Sequence, residues 1–290
     1  MNRFDRNESF FGKVGQEKLA AARVAIVGVG GLGTHLVQQL AYMGVREMAL
    51  IDDEELTETN LNRYIGARSG DPIPGTPKVS IGARICREVD PAIKVTKIQN
   101  VLASESAFKA IIGAGYVFGC LDNDGARLIL NELCTVYGLP YLDLASEIIP
   151  GSPPSYGGRV FVNWDGHSCL VCCGLLDITE AQRDLEEPEA RKMRDAIYGV
   201  RQEELGKSGP SVVSINGVVA SLAVTEFMVG VTGIRAPQRH LTYHGNMGRV
   251  SASMEKPKSD CYYCAGLRGK GAEADVERYV RSGGGLRNHT

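Results

Sequence analysis

The sequence has no strong excess of either charge. Its 32 lysines and arginines are balanced by 34 aspartates and glutamates, which gives a formal net charge of -2 at neutral pH. A protein that binds nucleic acid mainly through electrostatics usually carries a marked basic surplus, and that surplus is missing here. We therefore do not expect a nucleic-acid partner.

Long uninterrupted apolar runs are also absent from the sequence. The longest apolar stretch, 215–234, contains polar interruptions, which indicate a buried helix rather than a membrane span. These interruptions are Asn216, Ser221, Thr225 and Glu226. The opening residues, MNRFDR, contain no apolar signal segment, so we expect a cytoplasmic protein without membrane contact.

Strand and helix signals alternate through the first half of the chain. With 290 residues, of which 43% are hydrophobic, the chain can also bury a large core. The alternation predicts an α/β fold with a doubly wound, mostly parallel, Rossmann-like sheet. Predicted strands lie near 23–28, 47–52, 94–98, 115–121 and 140–145, and predicted helices near 32–43, 78–89, 104–112 and 123–137.

The pattern changes after the sequence PGSPP at 150–154. Residues 157–163 and 240–253 have strand character with tight turns nearby, which predicts antiparallel strands that extend the sheet. Residues 175–210 form a helix-prone insertion, charge-rich over 179–205. The end of the chain is rich in glycine and basic residues, so we expect 265–290 to be a flexible tail.

A glycine-rich turn is the first signal of a binding site. Residues 25–33 read AIVGVGGLG, an apolar strand that runs into glycines and the start of a helix. Backbone N–H groups at such a helix start can bind phosphate, and glycine allows the ligand to approach closely. The glycines of this turn are Gly28, Gly30, Gly31 and Gly33.

A set of polar residues follows the glycine turn. Asp52 ends the next apolar strand, where its carboxylate can accept ribose hydroxyls, but glycines and this aspartate alone predict only a dinucleotide fold. Arg63 and Lys78 add positive charge that displacement at a triphosphate needs. Asp122 ends a further strand and is a hard oxygen ligand suited to Mg²⁺. Together with Asn60, these residues predict a site for ATP and magnesium.

The cysteines include two CxxC pairs, CLVC at 169–172 and CYYC at 261–264. Each pair can present two thiolates to one tetrahedral Zn²⁺. The long gap between the pairs exceeds the usual zinc-ribbon spacing, so the spacing alone leaves a redox disulfide or unligated thiols open. We interpret Cys173, beside the first pair, as a packing residue or a spectator thiol.

In their order and spacing, these motifs resemble the ThiF/MoeB/HesA family, relatives of the ubiquitin-activating enzymes. The resemblance covers roughly residues 3–264, so we expect one adenylation domain over 1–264 with an N-terminal arm at 1–22. It implies ATP-dependent adenylation of the C-terminal carboxylate of a ubiquitin-like or sulfur-carrier protein. It also implies a zinc knuckle formed by Cys169, Cys172, Cys261 and Cys264.

The resemblance also implies a role for the N-terminal arm. The sequence RFDRN at 3–7 matches a family segment whose second arginine reaches into the ATP site of the other subunit, with Asn7 replacing a glutamine. Arg6 is that second arginine, so we expect a homodimer. The expected catalytic residues are Arg6, Arg63, Lys78 and Asp122, with Asp122 on Mg²⁺. The expected nucleotide contacts are Gly28, Gly30, Gly31, Gly33, Asp52 and Asn60.

Two alternatives stay open at this point. The substrate could be a ribosomal peptide or a tRNA base, or the chain could be a silent scaffold subunit of a heterodimeric activating enzyme. Retention of Arg63, Lys78 and Asp122 weighs against the scaffold, which has no need of them. Family members often carry a catalytic cysteine before the helix that starts near 211. The sequence has none there, so we expect the reaction to stop at the adenylate or to pass directly to a downstream acceptor protein.

Overall fold

The computed structural model describes residues 2–186, 209–254 and 256–282. Its centre is one eight-stranded sheet with the order β3-β2-β1-β4-β5-β6-β7-β8. The strands are β1 (Arg23–Val27), β2 (Glu47–Ile51), β3 (Lys94–Ile98), β4 (Tyr116–Gly119), β5 (Tyr141–Ile149), β6 (Ser155–Asn163), β7 (His240–His244) and β8 (Arg249–Ala252). The first five strands are parallel and the last three antiparallel. The predicted fold class is confirmed.

Helices cover both faces of the sheet, as expected for a doubly wound fold. They are α1 (Asp5–Ala21), α2 (Gly31–Met43), α3 (Lys78–Val89), α4 (Glu105–Ile112), α5 (Asp124–Val136), α6 (Ile178–Asp184), α7 (Val213–Thr232) and α8 (Arg278–Arg281). One apolar core lies between the sheet and α1, α2, α3 and α7. A second core lies on the opposite face, under α4 and α5.

Local sequence signals explain several helix ends. Asn123 caps α5 by accepting a hydrogen bond from the Ala126 N–H at 2.8 Å, which satisfies one of the unpaired donors of the first turn. Gly44 ends α2 with a φ of 92°, a left-handed conformation that glycine adopts without a steric penalty. These signals set the residue at which α5 begins and the residue at which α2 ends.

Helix α7 is the segment that the sequence presents as most apolar. Among the described residues it is the one helix long and apolar enough to cross a membrane, but half of its apolar window is buried inside the protein. Phe227 packs in the core, and the buried carboxylate of Glu226 pairs with Arg235 at 2.7 Å. A buried helix with a paired carboxylate is the arrangement of a core helix, in agreement with the sequence interpretation.

The expectation of a flexible tail from residue 265 does not hold for 265–282, which packs against α5. Leu267 and Val276 are buried in the second core. Arg278 donates to both carboxylate oxygens of Glu132 at 2.7 and 2.8 Å, and the Tyr279 hydroxyl donates to the same group at 2.8 Å. The glycine-rich and basic composition of this segment does not indicate that these few residues pack against α5. Residues 283–290, and residues 187–208 of the predicted insertion, lie outside the described residues.

Removing Arg278 should destabilise the protein measurably. Arg278→Ala leaves the nearly inaccessible carboxylate of Glu132 with the Tyr279 hydroxyl as its remaining partner, and should lower the free energy of unfolding by about 2 kcal/mol. The loss is smaller than for a fully buried pair because the Arg278 side chain is 42% exposed. Urea denaturation monitored by circular dichroism measures it.

Arg281→Ala is the matched control for this substitution. Arg281 pairs with Asp275, and both side chains are 59% exposed, so the loss should stay below about 1 kcal/mol. Equal small losses in the two variants would show that the segment 265–282 is not anchored through Glu132.

Candidate functional site

The glycine turn lies where two neighbouring parallel strands end. β1 and β4 are adjacent, with Val27 paired to Gly119, and they run into helices that continue on opposite faces of the sheet. Such a point, where the strand order reverses, forms a crevice at the carboxyl ends of the strands in which ligands bind. The predicted phosphate-binding turn therefore opens into this crevice.

Two glycines in the turn are required by close backbone packing. Gly28 has a φ of 88°, and a Cβ on it would lie 2.5 Å from the carbonyl oxygen of Cys120. A Cβ on Gly33 would lie 2.1 Å from the carbonyl oxygen of Gly28. Both distances are far below normal contact, so the turn can pack between α2 and the end of β4 only without side chains at these positions.

Asp52 braces the turn from the end of β2. Its carboxylate accepts hydrogen bonds from the backbone N–H groups of Val29 at 2.6 Å and Glu54 at 3.0 Å. Burial raises the pKa of Asp52 to about 6, while the positive charge of Lys78 and the two N–H groups act in the opposite direction. The structure thus gives Asp52 a supporting role at the turn, and its ribose contact stays a prediction.

Lys78 begins α3 and is buried, with its side chain 8% exposed. Its ammonium forms an ion pair with Glu54, whose side chain is 61% exposed, and its backbone N–H donates to the Glu54 carbonyl at 3.0 Å. The Tyr64 hydroxyl donates to the Val29 carbonyl and lies 3.2 Å from the Lys78 carbonyl, so it connects the turn to the start of α3. Burial raises the pKa of Tyr64 well above its usual range, which keeps this hydroxyl a donor.

Asn60 ends a short helical turn, Glu58–Asn60, and Arg63 lies three residues beyond it. Asn60 accepts a hydrogen bond from the Thr57 N–H at 3.1 Å and so closes a capping box, while its phosphate contact stays a prediction. The guanidinium of Arg63 donates to the Asn62 side chain at 3.1 Å. Its aliphatic carbons would lie 3.5 Å from a Cβ on Gly31, which places Arg63 beside the glycine turn.

Asp122 is exposed and lies between β4 and α5, two residues beyond the close contact of Cys120 with Gly28. An exposed carboxylate at this edge is free to coordinate a hard cation, so the predicted Mg²⁺ ligand fits its position. Nearby, Asp184 of α6 accepts hydrogen bonds from the N–H groups of Asp124 at 3.0 Å and Gly125 at 3.1 Å. The first described part of the insertion is therefore attached directly beside Asp122.

The structure does not bring Arg6 into the site of its own chain. Arg6 lies in the first turn of α1, is exposed, and its side chain has no hydrogen bond or ion pair among the described residues. Its neighbours anchor the arm elsewhere: Arg3 donates to the Val89 carbonyl at 2.8 Å, and Asn7 donates to Gln16 at 3.3 Å. The arrangement leaves Arg6 available to another subunit, and its action there stays a prediction.

The four CxxC cysteines form one buried cluster, with all four sulfur atoms within 4.8 Å of one another. The sulfurs of Cys169 and Cys261 are 3.5 Å apart, and those of Cys172 and Cys264 are 3.6 Å apart. Four thiolates at about 2.3 Å from a tetrahedral Zn²⁺ would be about 3.8 Å apart, so the cluster fits this ion. Asn131 on α5 orients the first pair by accepting a hydrogen bond from the N–H of Leu170 at 2.9 Å.

Zinc content and stability should depend on these four thiols. We expect about one Zn²⁺ per chain in the purified protein, and Cys261→Ser should reduce it well below one and lower the melting temperature. Inductively coupled plasma mass spectrometry and calorimetry measure the two quantities. Cys173→Ser is the control, since Cys173 lies beside the cluster but outside the four-sulfur set. A Cys261→Ser protein with unchanged zinc would contradict the assignment.

Four residues near the site were missed by sequence reasoning: Glu54, Tyr64, Asp184 and Asn216. Glu54 lies in an acidic run close before Lys78, a signal that could have suggested an ion pair. The others carried no usable signal, because each acts through a contact with a residue far away in the sequence.

Comparisons with known proteins agree with this geometry. The sequence model of the ThiF family matches residues 4–265. The Escherichia coli sulfur carrier protein ThiS adenylyltransferase is 29% identical over 256 residues, covering 87% of this chain and 89% of that protein. The Salmonella typhimurium molybdopterin-synthase adenylyltransferase is 31% identical over 162 residues, covering 56% of this chain and 62% of that protein.

Solved structures show the same fold at low sequence identity. E. coli MccB, in a crystal structure with ATP, superposes with a TM-score of 0.67 at 19% identity, covering 91% of this chain and 74% of MccB. PaaA superposes with a TM-score of 0.65 at 20% identity, covering 87% of this chain and 81% of PaaA. These likenesses establish the architecture and leave the substrate to other evidence.

Proposed function

This chain belongs to the ThiF family, and we propose that it is an ATP-dependent adenylyltransferase acting on the C-terminal carboxylate of a ubiquitin-like or sulfur-carrier protein. The observation that supports the proposal is that Arg63 lies beside the glycine turn, while Tyr64 connects the start of α3, with Lys78, to the same turn. Asp122 follows Cys120, whose carbonyl packs against Gly28. The similarity to a ThiS adenylyltransferase over 87% of the chain supports the same substrate class.

In the proposed reaction, a carboxylate oxygen of the carrier attacks the α-phosphorus of ATP in line with the leaving group. A new O–P bond forms, the bond to pyrophosphate breaks, and the products are an acyl-adenylate and pyrophosphate. The backbone N–H groups of the glycine turn would hold the phosphates at the start of α2. No side-chain base is needed, since a carboxylate is already ionised at neutral pH.

The charged residues of the site would have three different roles. Arg63 and Lys78 would neutralise the charge that develops on the leaving pyrophosphate. Asp122 would hold Mg²⁺, which supplies further charge neutralisation at the phosphates when bound. Asp52 would keep the turn in shape through its hydrogen bond to Val29 and contact the ribose.

Lys78 already has a partner in this structure, and ATP would have to replace it. The Glu54 carboxylate that pairs with Lys78 is 61% exposed, so it can move into solvent at small cost. Lys78 itself is held by its burial and by the backbone bond to Glu54. We infer that Glu54 keeps the buried ammonium paired until phosphate takes its place.

The proposal extends to partners and location. We propose a homodimer in which Arg6 completes the site of the partner subunit, acting in the cytoplasm, with Zn²⁺ in a structural role. We further propose that no thiol of this chain takes over the carrier. The described residues place no cysteine beside the glycine turn except Cys120, whose pKa is raised by burial. The adenylate would then pass to a downstream acceptor protein.

Substitutions at the phosphate site should reduce the rate while leaving the fold intact. Lys78→Ala, Arg63→Ala and Asp122→Ala should each lower carrier-dependent ATP–pyrophosphate exchange by about 10²-fold or more, because each removes charge stabilisation of the transition state. The assay uses recombinant carrier proteins that end in glycine, with a ribosomal peptide and a tRNA as alternative substrates.

The control for this series is Arg68→Ala, since Arg68 pairs with Glu88 at the surface and is 57% exposed. Exchange in the control should match that of wild type. Full exchange in the Lys78 and Arg63 variants would remove the proposed ATP site. Exchange that depends only on peptide or tRNA would favour that substrate class, and no exchange with any of them would favour a scaffold subunit.

The trans role of Arg6 predicts complementation between two inactive proteins. Arg6→Ala and Lys78→Ala homodimers should both have low exchange activity, whereas a mixed dimer should recover part of it, since one of its two composite sites keeps both residues. Differently tagged chains, purified sequentially, give the mixed dimer. Arg3→Ala is the control, because Arg3 pairs with Asp90 of its own chain. Absence of recovery in the mixed dimer would exclude action of Arg6 across the interface.

A further inference from the structure

A buried carboxamide lies against the glycine turn and has no part in the reaction proposed above. Asn216, in the first turn of α7, is 2% exposed. Its oxygen accepts a hydrogen bond from the Ser146 hydroxyl at 2.8 Å, and its nitrogen donates to the Ser211 hydroxyl at 3.1 Å. The side chain therefore joins β5 to the residues just before α7.

The same nitrogen explains why position 31 is a glycine. A Cβ on Gly31 would lie 2.6 Å from the Asn216 nitrogen, so the carboxamide would have to shift to admit it. By contrast, a Cβ on Gly30 would meet nothing within 4 Å. Gly31 thus owes its identity to Asn216, whereas Gly28 and Gly33 owe theirs to backbone carbonyls.

The hydrogen bonds with Ser146 and Ser211 fix the orientation of the Asn216 carboxamide. A buried amide is costly unless its polar atoms are paired, and here a hydroxyl on each side pairs them. The carboxamide cannot turn away from Gly31 without breaking both bonds. Gly31 is the first residue of α2, where the backbone N–H groups face the proposed phosphate site, and the same Cβ position lies 3.5 Å from the side-chain carbons of Arg63.

From this arrangement we propose that Asn216 is a positioning residue for the phosphates of the bound nucleotide. It fixes the place of Gly31 against α7 and so sets the orientation of the phosphate-binding N–H groups. It acts through the turn and does not itself enter the chemistry. This inference rests on the proposed function, since it requires that nucleotide phosphates bind at the turn.

A double-mutant cycle between positions 31 and 216 tests the contact. Binding of Mg-ATP and of adenosine to the purified full-length protein is measured by isothermal titration calorimetry, with thermal melts of every variant. Gly31→Ala should weaken Mg-ATP binding on the order of tenfold through the clash with the carboxamide. Adding Asn216→Ser, which shortens the side chain, should recover a large part of that loss. Adenosine, which has no phosphate, should bind all variants within about twofold of wild type.

Two further variants keep the test decisive. Asn216→Ala removes the carboxamide and both of its hydrogen bonds without adding charge, and it should weaken Mg-ATP binding on the order of tenfold while sparing adenosine. It answers the question even where Gly31→Ala fails to fold. Ser221→Ala is the control, since it removes the 3.1 Å contact with Gln39 between the same two helices, away from the turn. That variant should bind Mg-ATP like wild type.

The outcomes separate this inference from the proposed function. Additive losses in the cycle, or equal losses for Mg-ATP and adenosine, would overturn the positioning role while wild type still binds Mg-ATP. Failure of the wild-type protein to bind Mg-ATP would overturn the ATP site itself, and the role of Asn216 with it.

Discussion

The close approach of the glycine turn to the end of β4 is the constraint on which the rest of the site depends. Gly28 packs against the Cys120 carbonyl and Gly33 packs against the Gly28 carbonyl, at distances that exclude any side chain. This packing puts the start of α2 next to the segment that carries Asp122. The turn has no charged side chain of its own, so the charges proposed to act on a phosphate would have to come from other elements.

Those charges come from elements held to the turn by buried contacts. Asp52 accepts from the Val29 N–H, and Tyr64 donates to the Val29 carbonyl, so one residue of the turn is fixed through both of its backbone groups. Lys78 begins the helix whose first carbonyl lies near the Tyr64 hydroxyl. Such a site would be preorganised for the proposed reaction, because the positive charge of Lys78 would be in place before a nucleotide binds. Glu54, the exposed ion-pair partner of Lys78, compensates this positive charge when no phosphate is bound.

The sequence was sufficient to predict the sheet, its doubly wound order and the turn. Glycine spacing, strand periodicity and the CxxC pairs are local signals, and the structure brings them together at a strand-order reversal and in one sulfur cluster. Asn216 could not be predicted, because it looks like a polar interruption of an apolar helix until Gly31 is seen beside it. The expectation of a flexible tail over 265–282 was wrong for a related reason. Glu132 lies far away in the sequence, and composition carries no information about such a contact.

The cysteine cluster and the glycine turn are connected through α7. The cluster joins the loop after β6 to the segment after β8, so a bound Zn²⁺ would close a long loop that contains α7, β7 and β8. Closing a long loop restricts the unfolded chain and favours the packed position of everything inside it. α7 packs on the sheet along its length, and its first turn carries Asn216 against Gly31. A Zn²⁺ bound there would therefore act on the proposed nucleotide site only indirectly, by holding α7 in place against Gly31.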